Sequence, residues 1–134
     1  MSGTTFTWPI RVYYEDTDAG GVVYHASYLR FLERARTEWL RAQGISQAEW
    51  ARERALIFTI VELNVRFHAP ARLDDELYAS CVLGRRGGAS LQFTQELRRR
   101  TDDALLVGAS VRAACLDAAS YKPRPLPDDV LDSR

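Results

Sequence analysis

Apolar side chains that alternate with polar ones predict five strands in this chain. The period of two begins in residues 6–14 and recurs in 57–67, 77–83, 91–98 and 107–115. Such a period sends successive side chains to opposite faces of a sheet. Pro9 cannot donate a ladder hydrogen bond, so we expect the first strand at a sheet edge, ending near Glu15. Turn residues at 70–75, 87–88 and 101–103 predict short connections between the later strands.

Between the first two strands the apolar spacing changes to three and four residues, which is typical of a helix with one apolar face. Ser27 is a candidate N-cap for this long helix, and Gly44 is a candidate for the residue after its C-cap. A shorter helix is predicted over residues 47–54, capped by Ser46. The apolar positions of the long helix are Tyr28, Phe31, Leu32, Ala35, Trp39 and Ala42.

The order of elements predicts an α+β fold with a five-stranded, mainly antiparallel sheet against one long helix, because the apolar face of the sheet must be covered. A chain of 134 residues is the size of one domain, so we expect a single domain over 1–134. One helix leaves apolar surface on such a sheet uncovered. We therefore predict a homo-oligomer.

The charge balance argues against several classes of partner. With 18 basic and 18 acidic side chains the formal net charge is zero, so no overall field favours nucleic acid or an anionic membrane. No run approaches the roughly 18 apolar residues of a membrane-spanning helix, and residues 1–9 lack the pattern of a signal peptide. A cytoplasmic protein is expected.

Cys81 and Cys115 lie within apolar runs, which predicts buried, reduced thiols.

The candidate chemistry is concentrated between the first strand and the long helix. Residues 14–28 read YEDTDAGGVVYHASY, with three carboxylates, two adjacent glycines and one of only two histidines. Aspartate and glycine favour a turn there, and the composition is that of a catalytic turn. Taken alone, Asp18 is more often a turn-forming residue than a catalyst.

This stretch, followed by FLERARTE over 31–38, closely resembles the hot-dog fold acyl-CoA thioesterases of the 4-hydroxybenzoyl-CoA thioesterase-like group. Residues 69–75 (APARLDD) and 122–124 (KPR) are similar to the members associated with the Tol-Pal cell-envelope system. The resemblance implies a helix wrapped by an antiparallel sheet, and dimers whose sheets continue across the interface, commonly paired into homotetramers. It also implies hydrolysis of acyl-CoA without a metal or an organic cofactor.

The resemblance places the catalytic aspartate of the family at Asp18 and the histidine of the Tol-Pal-associated group at His25. Asp18 would attack the thioester to form a mixed anhydride, or would accept a proton from water. His25 would orient water, bond Asp18 or protonate the leaving thiolate. Backbone amides at the start of the long helix are candidates for polarising the carbonyl. The residues predicted to contact substrate are Gly20, Gly21, Val22, Tyr24 and Tyr28.

Other interpretations remain. A metal site built from Asp16, Asp18 and His25 is disfavoured because the spacing fits no compact ligand loop. A hot-dog dehydratase is disfavoured because the sequences of those enzymes have a different histidine-containing motif, which lies on the helix. A non-catalytic module that binds acyl-CoA or acyl-carrier protein stays open. In another hot-dog branch a helix glutamate performs the chemistry, but here Glu33 and Glu38 are predicted to pair with arginines.

The acyl group is where the sequence is least informative. Pocket depth depends on which side chains close it, and Tyr24, Tyr28, Phe58 and Ile60 are the candidates. Short, long and aromatic acyl groups all remain possible, since one methylene changes affinity by only about 1 to 3 kcal/mol. The sequence does not indicate which arginines would hold the CoA phosphates.

Overall fold

A computed structural model describes residues 5–127, and the remainder of the predicted 1–134 domain lies outside that range. Five strands form one fully antiparallel sheet in the order β1-β3-β4-β5-β2. This confirms the predicted α+β class. The strands are β1 (Phe6–Arg11), β2 (Leu56–Phe67), β3 (Glu76–Arg86), β4 (Ser90–Arg99) and β5 (Leu105–Asp117).

Helix α1 (Ser27–Ala42) lies across one face of the sheet, against β1, β3 and β4. Its apolar face is buried there, with Phe31, Leu32 and Ala35 fully excluded from solvent. Along β4 the burial alternates, so that one face of the strand meets α1 and the other remains partly exposed. The core therefore lies on one side of a single sheet, as the period of two predicts.

The two helices end and begin largely as predicted. Gly44 has a φ of +87°, and its N–H donates to the Arg41 carbonyl at 3.0 Å. The Ile45 N–H donates to the Leu40 carbonyl at 2.9 Å, which completes the glycine-terminated helix end. Helix α2 (Gln47–Glu49) continues into a π-helical turn (Trp50–Arg54), and the Ser46 hydroxyl caps it by accepting from the Glu49 N–H.

Two predicted boundaries are wrong. Helix α1 begins at Ser27 itself and Ala26 precedes it, because the Ser27 hydroxyl accepts from the Arg30 guanidinium at 3.1 Å and does not cap an amide. Strand β1 does lie at an edge, but it ends at Arg11 and not near Glu15. Beyond it the chain leaves the sheet through a 3₁₀ turn (Tyr14–Asp16).

Both cysteines are free and buried, as predicted. Burial raises the pKa of the Cys81 thiol to about 12, against the smaller opposing effect of Arg36. Burial also raises the pKa of Cys115. Within residues 5–127 no helix combines the length and apolar character needed to cross a bilayer.

A fully buried glutamine joins helix to sheet. The Gln95 side-chain amide donates to the Leu32 carbonyl of α1 at 3.0 Å and to the Ser80 carbonyl of β3 at 3.3 Å. Its carbonyl oxygen accepts from the Arg36 guanidinium at 3.1 Å, and burial lowers the pKa of Arg36. Buried polar groups are costly unless they are paired. Gln95 therefore fixes the position of α1 over the sheet.

Replacing Gln95 by alanine is expected to lower the free energy of unfolding by about 2 to 4 kcal/mol, since it opens a cavity and leaves Arg36 without its acceptor. Urea unfolding measures the change. Gln92→Ala, on the same strand but with a half-buried side chain bonded to Ser110, is the control and should cost about 0 to 1 kcal/mol. Equal losses in the two variants would contradict this role of Gln95.

Candidate active site

Asp18 lies in a small antiparallel hairpin between β1 and α1. Thr17 and Val23 pair across it, and the Asp18 N–H donates to the Val22 carbonyl at 2.9 Å. The hairpin closes through Gly21, whose φ of +83° lies in the left-handed region that glycine adopts without a Cβ penalty. The glycine turn predicted from the sequence is thus present.

The Asp18 carboxylate is held at one oxygen and exposed at the other. Its Oδ1 accepts from the Gly20 N–H at 2.8 Å, and in the described part of the chain no second donor reaches the carboxylate. A Cβ at Gly20 would lie only 3.2 Å from Oδ1, so glycine permits this close approach. The side chain itself is exposed to solvent. The turn therefore orients the carboxylate and leaves Oδ2 free to react.

Unbonded amides follow at the start of α1. The Tyr24 N–H donates to the Asp16 carbonyl, and the Ser27 N–H donates to the Tyr24 carbonyl. Over residues 5–127 no acceptor is found for the N–H groups of His25 and Ala26. They adjoin the N-terminus of a 16-residue helix, which carries partial positive charge. These two amides are available to a carbonyl oxygen.

The exposed His25 ring lies against the Tyr24 ring, with their centroids 4.6 Å apart and the planes tilted by 47°. Tyr24 is 46% exposed, and Val22, two residues earlier in the chain, is half-buried. The other histidine, His68, is exposed on the far end of β2, as expected. Tyr24 and His25 are thus exposed immediately after Val23, the residue that pairs with Thr17 in the hairpin.

Tyr28 differs from the other predicted contact residues because it lies beneath the hairpin, only 4% exposed. Its hydroxyl oxygen accepts from the Ala71 N–H at 2.9 Å. Burial raises the pKa of Tyr28, and the negative charge of Asp18 adds to that effect. The Ala71 carbonyl in turn accepts from the Val23 N–H at 2.9 Å. Residues 69–75, which the sequence marked as a turn and by resemblance, therefore form the floor of the site.

Asp16 is a structural carboxylate. It is 3% exposed, and its Oδ2 accepts from the Tyr13 N–H at 2.9 Å while its Oδ1 accepts from Arg30 at 3.2 Å. Nothing in the spacing of the sequence indicated Arg30. Within residues 5–127 no group of three His, Cys, Asp or Glu side chains is arranged to hold a metal ion.

A separate groove of about 80 Å³ lies between α1 and the sheet. Phe58 and Ile60 line it, whereas Tyr24 and Tyr28 lie at the hairpin, so the four candidate pocket residues belong to two places. Glu33 also lines the groove, and no arginine of the described chain forms an ion pair with it, contrary to prediction. Glu38 does pair with Arg41, at 2.6 Å.

Comparison with known proteins identifies the family. The sequence model of the thioesterase-like superfamily matches residues 12–133. The chain belongs to that superfamily. It is 48% identical to the acyl-CoA thioester hydrolase YbgC of Escherichia coli O6:H1, over 98% of this chain and 96% of that one. It is 45% identical to the acyl-CoA thioesterase YbgC of Haemophilus influenzae, over 97% and 94% of the two chains.

The crystal structure of a probable thioesterase from Bartonella henselae superposes with a TM-score of 0.87 at 35% identity, covering 92% of this chain and all of that one. Together with the sequence relatives, this confirms the predicted hot-dog fold and the predicted class of enzyme, a thioester hydrolase. The roles of individual residues in this thioesterase stay predictions.

Proposed function

We propose that this thioesterase hydrolyses acyl-CoA to the free acid and CoA, with Asp18 as nucleophile or general base. The observation that carries the proposal is the Asp18 carboxylate, held by the Gly20 N–H through one oxygen and open at the other. The unbonded His25 and Ala26 amides at the start of α1 support it, because they follow the same hairpin. The names of the E. coli and H. influenzae relatives supply the substrate class.

As a nucleophile, Asp18 Oδ2 attacks the thioester carbonyl, and the C–S bond breaks with its electron pair leaving on the CoA sulfur. Water then hydrolyses the mixed anhydride and regenerates the carboxylate. As a general base, Asp18 takes a proton from water while the hydroxide attacks, and that proton passes to the leaving thiolate. In both routes charge develops on the carbonyl oxygen, where amides at a helix start are stabilising.

His25 is proposed to orient the water or to protonate the thiolate. Its ring is exposed and contacts the Tyr24 ring at a tilt, so its nitrogens remain open to a ligand. A CoA thiolate is a good leaving group, and strong acid assistance is therefore less necessary than for an amide. His25 should contribute less than Asp18.

Replacing Asp18 by asparagine is expected to lower kcat by about 10²- to 10⁴-fold, because the amide can neither attack nor accept a proton. The Oδ1 acceptor for the Gly20 N–H is kept, so the turn should survive. Thiol release from acetyl-, butyryl-, palmitoyl- and 4-hydroxybenzoyl-CoA measures turnover and ranks the acyl groups. Circular dichroism and the oligomeric state serve as controls.

An unchanged kcat in Asp18→Asn would refute the proposed role of Asp18. If wild type binds acyl-CoA or acyl-carrier protein tightly and releases no thiol from either, the protein is a binding module and the proposed hydrolysis is wrong. Quenching a single turnover with hydroxylamine separates the two routes, since only a mixed anhydride yields a modified Asp18 peptide.

The two histidines allow a matched comparison. His25→Gln is expected to lower kcat by about tenfold, below the usual range of proton-transfer effects because the CoA thiolate leaves readily, whereas His68→Gln should leave it unchanged because the mechanism gives the exposed His68 ring no role. Steady-state thiol release with the preferred acyl-CoA measures both. Equal activity of the two variants would remove His25 from the mechanism.

The predicted homo-oligomer finds support at β2. This strand is the second sheet edge, with backbone groups unpaired on one side. Ile60, Val61, Leu63 and Phe67 are all at least 40% exposed along it. Native proteins protect exposed apolar edges of this kind. We infer a dimer in which two β2 strands pair antiparallel, as in the family resemblance. The homotetramer, the cytoplasmic location and the Tol-Pal association stay predictions from the sequence.

Introducing a charge on this edge tests the dimer. Leu63→Lys should convert the protein to a monomer, as measured by light scattering after size exclusion, because the lysine would be buried unpaired. Val82→Lys, at 44% exposure on β3, is the control and should remain dimeric. A monomeric wild-type protein, or a dimeric Leu63→Lys variant, would rule out this interface.

A further inference from the structure

We propose that Tyr28 is a positioning residue, whose hydroxyl holds the Asp18 hairpin in place through Ala71. This inference rests on the proposed role of Asp18. It assigns a positioning function to the segment 69–75, which the sequence marked only as a turn and by resemblance. Tyr28 was predicted to contact substrate, whereas in the structure it is buried and bonded to Ala71.

The link from Tyr28 to the hairpin runs through one residue. The Ala71 N–H donates to the Tyr28 hydroxyl at 2.9 Å, and the Ala71 carbonyl accepts from the Val23 N–H at 2.9 Å. Arg72 pairs with Val22, and the Val22 carbonyl accepts from the Asp18 N–H. Both ends of Ala71 are thus occupied, one by helix α1 and one by the hairpin.

Burial makes this link stiff. Ala71 is fully buried and Tyr28 is 4% exposed, so water cannot replace the hydrogen bond between them. The Tyr28 ring is fixed edge-on to Phe31, with centroids 6.2 Å apart, and lies 5.7 Å from the Phe67 ring. A buried amide without its acceptor is costly. The hydroxyl therefore sets where Ala71 sits relative to α1.

The same segment is held from the sheet by Arg99. This side chain projects from β4, where it is paired with the buried Leu77 of β3 and so shares its face. Its Nη2 donates to the Pro70 carbonyl at 2.8 Å, and its Nε donates to Asp75 Oδ2 at 3.3 Å. Asp75 Oδ2 also accepts from the Arg72 N–H at 3.0 Å. The floor of the site is thus anchored at both ends.

The hydroxyl is removed in Tyr28→Phe, which keeps the ring. We expect amide hydrogen exchange at Val23 to accelerate about tenfold, the loss of roughly one hydrogen bond. We also expect kcat to fall about tenfold with KM within twofold, because the carboxylate is displaced while the binding surface remains. A residue that only stabilised the fold would not separate kcat from KM at a temperature well below the melting point.

The matched control is Tyr78→Phe. The Tyr78 hydroxyl donates to Asp103 at the β4–β5 turn, so its removal deletes a tyrosine hydroxyl bond at an exposed site without touching residues 69–75. Val23 exchange and kcat should both stay at the wild-type values. If Tyr28→Phe matches Tyr78→Phe in either measurement, the positioning role is wrong.

A second pair of variants decides the matter if Tyr28→Phe does not fold. Arg99→Met frees the floor from the sheet and should accelerate Val23 exchange and lower kcat in the same sense. Arg98→Met removes the neighbouring arginine, which pairs with Glu96 and Asp103 instead, and should do neither. Wild-type kcat in Arg99→Met would overturn the proposal. Asp18→Asn separates the two hypotheses. If Asp18→Asn stays active, the proposed role of Asp18 fails. If Asp18→Asn is inactive while Tyr28→Phe and Arg99→Met keep wild-type kcat, only the positioning role fails.

Discussion

The burial of one apolar face of α1 against a single sheet is the constraint on which the other features depend. Because Leu32 and Phe31 are fully buried and Gln95 bonds the Leu32 carbonyl, the helix cannot slide over the sheet. Its N-terminus is therefore held beside the end of β1, where the Asp18 hairpin starts. The helix packs against β1, β3 and β4, whereas β2 lies at the opposite edge of the sheet and keeps apolar side chains exposed.

Periodicity predicted much of the fold because each strand and helix is buried on one face. Pro9 on an edge strand and Gly44 after α1 were indicated correctly, since a missing donor and a positive φ are local properties. The end of β1 was predicted wrongly, because the chain leaves the sheet where the Asp16 carboxylate accepts from the Tyr13 N–H. Alternation of apolar and polar residues gives no sign of that contact. Apolar Tyr14 continues the pattern and yet is 81% exposed.

The candidate site was predicted only in part, and for a related reason. Asp18 and His25 lie in one continuous stretch, so composition and resemblance pointed to them together. The floor of the site comes from residues more than 40 positions further along, where the Tyr28 hydroxyl meets the Ala71 N–H. No local pattern encodes such a contact. A tyrosine at helical spacing predicts a core residue or a ligand contact. Only the tertiary structure shows that its hydroxyl accepts a hydrogen bond from a distant backbone amide.

Two carboxylates two residues apart show how the turn divides structural from chemical roles. Asp16 is buried and accepts from the Tyr13 N–H and from Arg30, so both of its oxygens are occupied. Asp18 is exposed and accepts one N–H, from Gly20. A carboxylate already bonded at both oxygens has little capacity to attack a carbonyl or take a proton, whereas one with a free oxygen retains both. The hydrogen bonds of Asp16 hold the turn in shape. Asp18 is oriented by its one bond to the Gly20 N–H and keeps a free oxygen.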